Sequence, residues 1–90
     1  MAVELHVASL VVRSRPERMD MLRRTIAALP GADIPAEDAV GKLVVTLEGT
    51  SERAIRHQLD TIGALPGVLS ATLVAHYAEP IGPPEEGASP

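Results

Sequence analysis

The spacing of hydrophobic and polar residues predicts six elements in the first 78 positions of the chain. Residues 4–13, 42–48 and 68–77 are rich in Val and Leu or alternate between apolar and polar positions, which is typical of strands. Residues 32–40 are weakly patterned and contain Pro35, so they predict at best a short edge strand. Between these segments, apolar residues recur at helical spacing twice. The predicted order is strand, helix, strand, strand, helix, strand.

Residues at the helix ends carry familiar start and stop signals. Ser14 and Glu17 are spaced as a capping box, and Pro16 suits a first helical turn because its missing N–H has no partner there. The Pro-Gly pairs at 30–31 and 66–67 predict the two helix ends. We therefore expect Ser14 to cap the first helix.

An internal repeat predicts the topology. Residues 25–31 (TIAALPG) and 61–67 (TIGALPG) match at six of seven positions, and each follows a strand containing Leu-Val-Val. Two consecutive strand–helix–strand units predict an α+β, ferredoxin-like βαββαβ split sandwich. Its antiparallel sheet has strand order 4-1-3-2, with both helices on one face.

Such a sheet leaves its other face without a helix, and the positions of Ser and Thr indicate which residues lie there. Successive side chains of a strand point to opposite faces, and hydroxyls should avoid the helices. The residues expected on the open face are Val7, Ser9, Val11, Val44, Thr46, Ser70, Thr72, Val74 and His76. Those expected under the helices are Ala8, Leu10, Val12, Leu43, Val45, Leu47, Leu69, Ala71 and Leu73.

Composition narrows the functional classes. The chain has no Cys, which excludes disulfides and thiolate metal sites, and its net charge of −4 argues against nucleic acid as a partner. No apolar run approaches the roughly 20 residues that cross a bilayer, and no signal sequence is evident, so we expect a cytoplasmic protein without membrane insertion. Residues 1–78 form the predicted domain. Residues 79–90, with four prolines, two glycines and three acids, predict a disordered tail.

Candidate catalytic groups are few. His6 and His76 should approach each other at one end of the sheet, but without Cys they make a weak metal site. Ser9 and His76 lack an orienting third group. The chain contains no Asn, on which acylphosphatase chemistry relies, and its central strands have no aromatic residue for stacking on RNA. Elimination favours a binding protein over an enzyme.

Four segments, in order, resemble the NapD family of chaperones. They are HVASLVV at 6–12, Pro-Gly at 30–31, GKLVV at 41–45 and GVLSATLV at 67–74, followed by His76. The resemblance covers residues 4–77. It implies a cytoplasmic chaperone that binds the twin-arginine signal peptide of the periplasmic nitrate reductase catalytic subunit. Such a Tat proofreading chaperone delays export until cofactor insertion is complete, and it carries no cofactor or metal of its own.

The resemblance and the open-face pattern together predict a peptide-binding surface. The residues assigned to it are Val7, Ser9, Val11, Val44, Thr46, Glu48, Thr72, Val74 and His76. Glu48, or the acids of residues 33–38, would meet the arginines. The peptide would lie across the face as a helix or add as a strand, for which the fourth strand is the better edge. The sequence leaves the oligomeric state open and favours a monomer. The alternative is a regulatory domain that dimerises and binds a small effector.

Overall fold

The protein is an antiparallel sheet with two helices. The computed structural model of the chain describes residues 3–81. The elements are β1 (Val3–Ser14), a 3-10 helix (Pro16–Arg18), α1 (Met19–Ala27), β2 (Ala32–Asp38), β3 (Lys42–Gly49), α2 (Glu52–Gly63) and β4 (Val68–Ile81). This is the predicted βαββαβ order.

The sheet has strand order β2-β3-β1-β4, with every neighbouring pair antiparallel. This is the predicted 4-1-3-2 order, so the ferredoxin-like α+β fold is confirmed. The two central strands are β1 and β3, and each hydrogen-bonds on both sides. The edge strands β2 and β4 have one partner each.

Both helices pack on the same face of the sheet. Met19, Leu22 and Ile26 of α1 and Ile55 and Ile62 of α2 are buried, as their helical spacing predicts. Each fully buried side chain of this size contributes about 1.5–3 kcal/mol through removal of apolar surface from water. They contact a set of sheet residues that are at most 1% exposed: Ala8, Leu10, Val12, Leu43, Val45 and Leu47.

The sequence repeat is also a structural repeat. Each copy ends its helix in a tight turn, in which the N–H of Leu29 or Leu65 donates to the carbonyl of the Ile three residues earlier. The glycine that follows each turn has a positive φ, +77° at Gly31 and +94° at Gly67. Residues with a Cβ rarely adopt this conformation, so Pro-Gly ends both helices as predicted.

The predicted cap at Ser14 is wrong. Ser14 is the last residue of β1, where its N–H donates to the carbonyl of Gly41 at 2.8 Å. Its buried hydroxyl lies 3.2 Å from the sulfur of Met19 instead of capping a helix. The first α-helix therefore starts only at Met19, after the 3-10 helix, and without a side-chain cap. By contrast, Ser51 caps α2 by accepting a hydrogen bond from the N–H of Ala54 at 3.0 Å.

The last strand differs from its prediction at both ends. Residues 79–81, assigned to the tail on composition, continue β4 and pair with the start of β1. Residues 82–90 of the predicted tail lie outside the described residues. At the other end, the β1–β4 register shifts between Arg13 and Ser14, which leaves Leu69 unpaired and 64% exposed. The prediction that Leu69 packs under the helices is therefore wrong.

Candidate functional site

The face of the sheet opposite the helices is uncovered, and the β1–β3 ladder fixes which residues lie on it. Val7 pairs with Glu48, Ser9 with Thr46, and Val11 with Val44. Glu48 is exposed and the other five are half-buried, whereas the residues between them are buried. Because this ladder has no bulge, the side chains of both strands alternate in step between the two faces. The predicted assignment of residues to the open face and to the helix side is therefore confirmed for β1 and β3. The residues placed as predicted are Val7, Ser9, Val11, Val44, Thr46 and Glu48.

On β4 the predicted assignment of residues to the two faces holds only from Ser70 to Leu73. Thr72 pairs with Val11 and lies on the open face as predicted. The register then shifts, because Leu10 pairs with Leu73 while Ser9 pairs with Ala75. One extra residue, Val74, is left out of the ladder in a β-bulge, with 58% of its surface exposed. The simple alternation that placed Val74 on the open face does not apply at a bulge.

Beyond the bulge, the faces of β4 are reversed relative to the prediction. His76 pairs with Ala8, which is buried under the helices, so His76 lies on the helix side of the sheet. Its assignment to the peptide-binding face is therefore wrong. The imagined pair of Ser9 and His76 is also wrong, because the two residues lie on opposite faces of the sheet.

His6 of the central strand β1 and His76 of the edge strand β4 do meet, as predicted. Nδ1 of His6 lies 3.1 Å from Nε2 of His76, and the ring centroids are 5.3 Å apart. Glu4 Oε1 is 3.5 Å from Nε2 of His6. Within residues 3–81, no group of three or more His, Cys, Asp or Glu side chains is arranged to hold a metal ion. The pair is explained by one imidazole donating to the other.

A shallow cleft of about 250 Å³ lies beside this pair, between α2 and β4. The helix contributes three charged residues, Glu52, Arg56 and Asp60, together with Ile55 and Leu59. The strand contributes Leu73 and His76. Leu73 is 42% exposed here, so the prediction that it packs fully under the helices is only partly right.

The bulge brings three unpredicted residues, Ala75, Tyr77 and Glu79, onto the open face. Ala75 pairs with Ser9 and Tyr77 pairs with Val7, so both lie opposite open-face residues of β1. Tyr77 is the single aromatic residue of the chain and is 56% exposed. Strict alternation continued from Leu73 would put Tyr77 under the helices, and no sequence signal marks Val74, among similar neighbours, as the bulged residue.

The open face is also charged differently at its two ends. Arg13 and Lys42 pair directly at the end of the face where β1 finishes, with Asp38 next to Lys42 on β2. At the opposite end, Glu48 lies beside Val7, and Glu79 of β4 lies beside Leu5. Within residues 3–81, none of these five charged side chains forms an ion pair. Their charges are therefore available to a partner.

The acids of residues 33–38 are not equally available. Glu37 pairs with Leu43, which places it on the helix side, where it accepts two hydrogen bonds from Arg23 of α1. Arg23 also contacts Asp20 at 2.7 Å. The guanidinium holds the pKa of the Glu37 carboxyl below its usual value, chiefly through the side-chain hydrogen bonds. Of the three acids in this segment, Asp33 and Asp38 pair with open-face residues of β3.

Comparison with known proteins gives a consistent result. A family described as NapD protein matches residues 5–80. A protein named Chaperone NapD from Paracoccus pantotrophus is 41% identical over 70 residues, which are 78% of this chain and 62% of that protein. A Chaperone NapD from Escherichia coli K12 is 31% identical over 77 residues, 84% of this chain and 88% of that protein.

A solved structure shares the architecture as well. It is the solution structure of the E. coli Tat proofreading chaperone protein NapD, which superimposes with a TM-score of 0.78 at 29% identity. The match covers 96% of this chain and 92% of the other. Neither helix within residues 3–81 is long and apolar enough to span a membrane. The similar proteins are named as chaperones, which implies a role other than catalysis.

Proposed function

Because this chain belongs to the NapD family, we propose that it is a cytoplasmic chaperone for the precursor of a periplasmic nitrate reductase. It binds the twin-arginine signal peptide of the catalytic subunit and thereby delays export until the cofactors of that subunit have been inserted. The bound peptide is withheld from the export machinery while the chaperone occupies it. Neither a cofactor nor a catalytic group of the chaperone is needed for this role.

The observation that carries the proposal is the uncovered face of the sheet. Val7, Val11 and Val44 form an apolar strip across β1 and β3, in which the paired Ser9 and Thr46 lie between Val7 and the Val11–Val44 pair. The protein's own helices cover only the other face. A half-buried strip of this kind, bordered by polar groups, is typical of surfaces that bind a partner.

The chemistry of a twin-arginine signal fits this face. Such a peptide has two adjacent arginines followed by an apolar segment. The apolar segment would cover the valine strip and remove it from water, which is the main source of favourable binding free energy. The arginines would form charge-assisted hydrogen bonds with carboxylates at the edge of the strip, of which Glu48 is the nearest in register.

A titration followed by NMR tests the proposal. Unlabelled signal peptide of the nitrate reductase precursor is added to the full ¹⁵N-labelled chain. We expect the largest amide shifts at Val7, Val11, Val44 and Thr46, and small shifts along the solvent-facing side of α1. A peptide of the same composition in scrambled order is the control.

Two results would contradict the proposal. One is a saturating titration in which no resonance of β1 or β3 moves. The other is an equal response to the scrambled peptide, since this would indicate contact with any cationic, apolar chain.

A further inference from the structure

The charges of the open face vary along the strands. Lys42 and Glu48 lie six residues apart on β3, both on this face, so the two ends are separated by about 20 Å. Arg13 adds to the basic end, and Glu79 adds to the acidic end. A partner whose charge also varies along its length is therefore bound more favourably in one direction than in the other.

We propose that the signal peptide binds with a fixed direction, its two arginines at the acidic end and its apolar segment extending towards Arg13 and Lys42. This inference rests on the proposed function and adds the direction of the bound peptide. The reverse orientation places the arginines beside Arg13 and Lys42, whose two positive charges exceed the one negative charge of Asp38, and leaves Glu48 and Glu79 without a partner.

A second feature of the acidic end favours arginine. Tyr77 and Glu48 flank Val7 on its two sides, so the phenol ring and the carboxylate face the same side of the sheet. With two strand spacings between them, they are about 10 Å apart. A guanidinium stacks on an aromatic ring while a neighbouring guanidinium pairs with a carboxylate. Tyr77 is 56% exposed and the only aromatic residue available for this.

The position of the apolar residues agrees with this direction. Val11 and Val44 pair with each other two residues from Arg13 and Lys42, so the larger part of the apolar strip lies towards the basic end, whereas Val7 pairs with Glu48 at the acidic end. A helical segment of about 13 residues spans the same 20 Å. The residues after the arginines therefore have apolar surface to cover before they reach Arg13 and Lys42.

Paramagnetic relaxation tests the direction. The signal peptide carries a nitroxide on a cysteine added either before its arginines or after its apolar segment. The chain has no cysteine, so the label cannot exchange onto it. We expect the first label to broaden the amides of Glu48, Tyr77 and Glu79, and the second to broaden those of Arg13 and Lys42.

The outcomes separate this inference from the proposed function. If the peptide saturates the open face but the broadening is reversed, or is the same for both labels, the direction is wrong while the function stands. If neither the labelled nor the unlabelled peptide binds, the proposed function itself fails.

A pair of variants supplies the energetic test. Glu48→Gln removes a carboxylate at the acidic end, and Asp38→Asn removes one at the basic end. We expect Glu48→Gln to raise the Kd about tenfold, as loss of a charge-assisted hydrogen bond does, and Asp38→Asn to change it less than about twofold. With a peptide whose arginines are replaced by glutamine, the two variants should bind alike. Equal effects on the natural peptide would overturn the assignment.

Discussion

Two adjacent valines of β3 have opposite surroundings. Val45 is 0% exposed and packs under the helices, whereas Val44 is half-buried on the open face opposite Val11. The side chains are chemically identical, so any difference in their response to substitution comes from the direction in which each points. Position along the strand thus separates a role in folding from the role in binding that we propose.

The variants Val44→Asp and Val45→Asp test this separation. Val45→Asp puts an unpaired carboxylate into the core, so we expect it to cost more than about 4 kcal/mol and to unfold the domain. Val44→Asp should cost less than about 1 kcal/mol and still weaken peptide binding at least tenfold, because it places a charge in the apolar strip. Thermal unfolding and calorimetric titration measure the two effects. An unfolded Val44→Asp protein would show that the open face is misassigned.

The ion pair of Arg23 and Glu37 links α1 to β2 and makes stability depend on pH. The pKa of Glu37 is lowered in the folded protein from its usual 4.5, mainly by hydrogen bonds from Arg23. A lowered pKa means that the stabilisation is fully present above pH 4.5 and is lost as the pH falls through the folded value.

We therefore expect Glu37→Gln to lower the urea midpoint at pH 7 and to have little effect once the pH is below the folded pKa of Glu37. Urea unfolding of both proteins from pH 7 down to pH 3 provides the measurement. Glu79→Gln, which changes an exposed carboxylate with no ion pair within residues 3–81, is the matched control. A wild-type advantage that does not shrink towards low pH would rule out this role for the pair.

At the scale of elements, the two helix ends make a natural comparison because their sequences repeat. A Cβ added at Gly31 would lie 2.3 Å from the backbone carbonyl oxygen of Glu48. A Cβ added at Gly67 would instead meet the side chain of Arg18, at 2.7 Å from its Cγ. A side chain can move aside, whereas a carbonyl in the sheet cannot do so without disturbing β3.

Gly31→Ala should consequently be more destabilising than Gly67→Ala. Both changes carry the cost of a positive φ, about 1–2 kcal/mol, and Gly31→Ala adds the backbone clash. Equilibrium unfolding in urea will rank the two variants. A larger destabilisation by Gly67→Ala would mean that the backbone of β3 moves aside more easily than the Arg18 side chain.

The bulge in β4 makes a second prediction at this scale. Deleting Val74 should leave a folded protein, because Leu73 and Ala75 would then continue the ladder with Leu10 and Ser9 in the same register. Deleting Thr46 from β3, whose ladder with β1 has no bulge, must move buried residues to the open face and should unfold the domain. Circular dichroism and amide dispersion distinguish these outcomes. Loss of folding on deletion of Val74 would show that the bulged residue is required.

These elements also show what the sequence could predict. The order of the elements and the strand order of the sheet could be predicted from the sequence. The helical and alternating periods, the Pro-Gly pairs that end the helices, and the repeat at 25–31 and 61–67 were sufficient for this. The face of β4 beyond Val74 was not predictable, because one inserted residue reverses the direction of every later side chain and the inserted valine resembles its neighbours. The start of α1 was missed because Ser14 is held in β1 by the carbonyl of Gly41.

For the whole molecule, charge determines how binding should depend on salt. The chain has a net charge of −4, and the signal peptide carries its arginines. We expect the Kd to rise roughly fivefold between 50 and 500 mM NaCl, because added ions screen attraction between exposed charges. The Glu48→Gln protein should show a weaker dependence. Affinity that is independent of salt would indicate that the apolar strip alone holds the peptide.

The candidate site shows the limit of prediction at this scale. Seven of its nine predicted residues lie on the open face because β1, β3 and the first half of β4 alternate regularly. Tyr77 and Glu79 were missed because their place on this face depends on the bulge. The charge difference between the two ends follows from the register of three strands together, which no single segment reveals.

The two edges of the sheet differ in what they offer to another strand. The β2 edge carries Pro35 and three acids, and its register with β3 is interrupted, so it is a poor template for pairing. The β4 edge has no Asp, Glu, Lys, Arg or proline from Leu69 to Ala78, although its ladder with β1 is also interrupted, at Val74. Among the strands within residues 3–81, main-chain association between copies is therefore expected at the β4 edge alone. When two molecules pair through this edge, no such edge is left for a third. High concentrations of this protein should therefore produce dimers and not fibres.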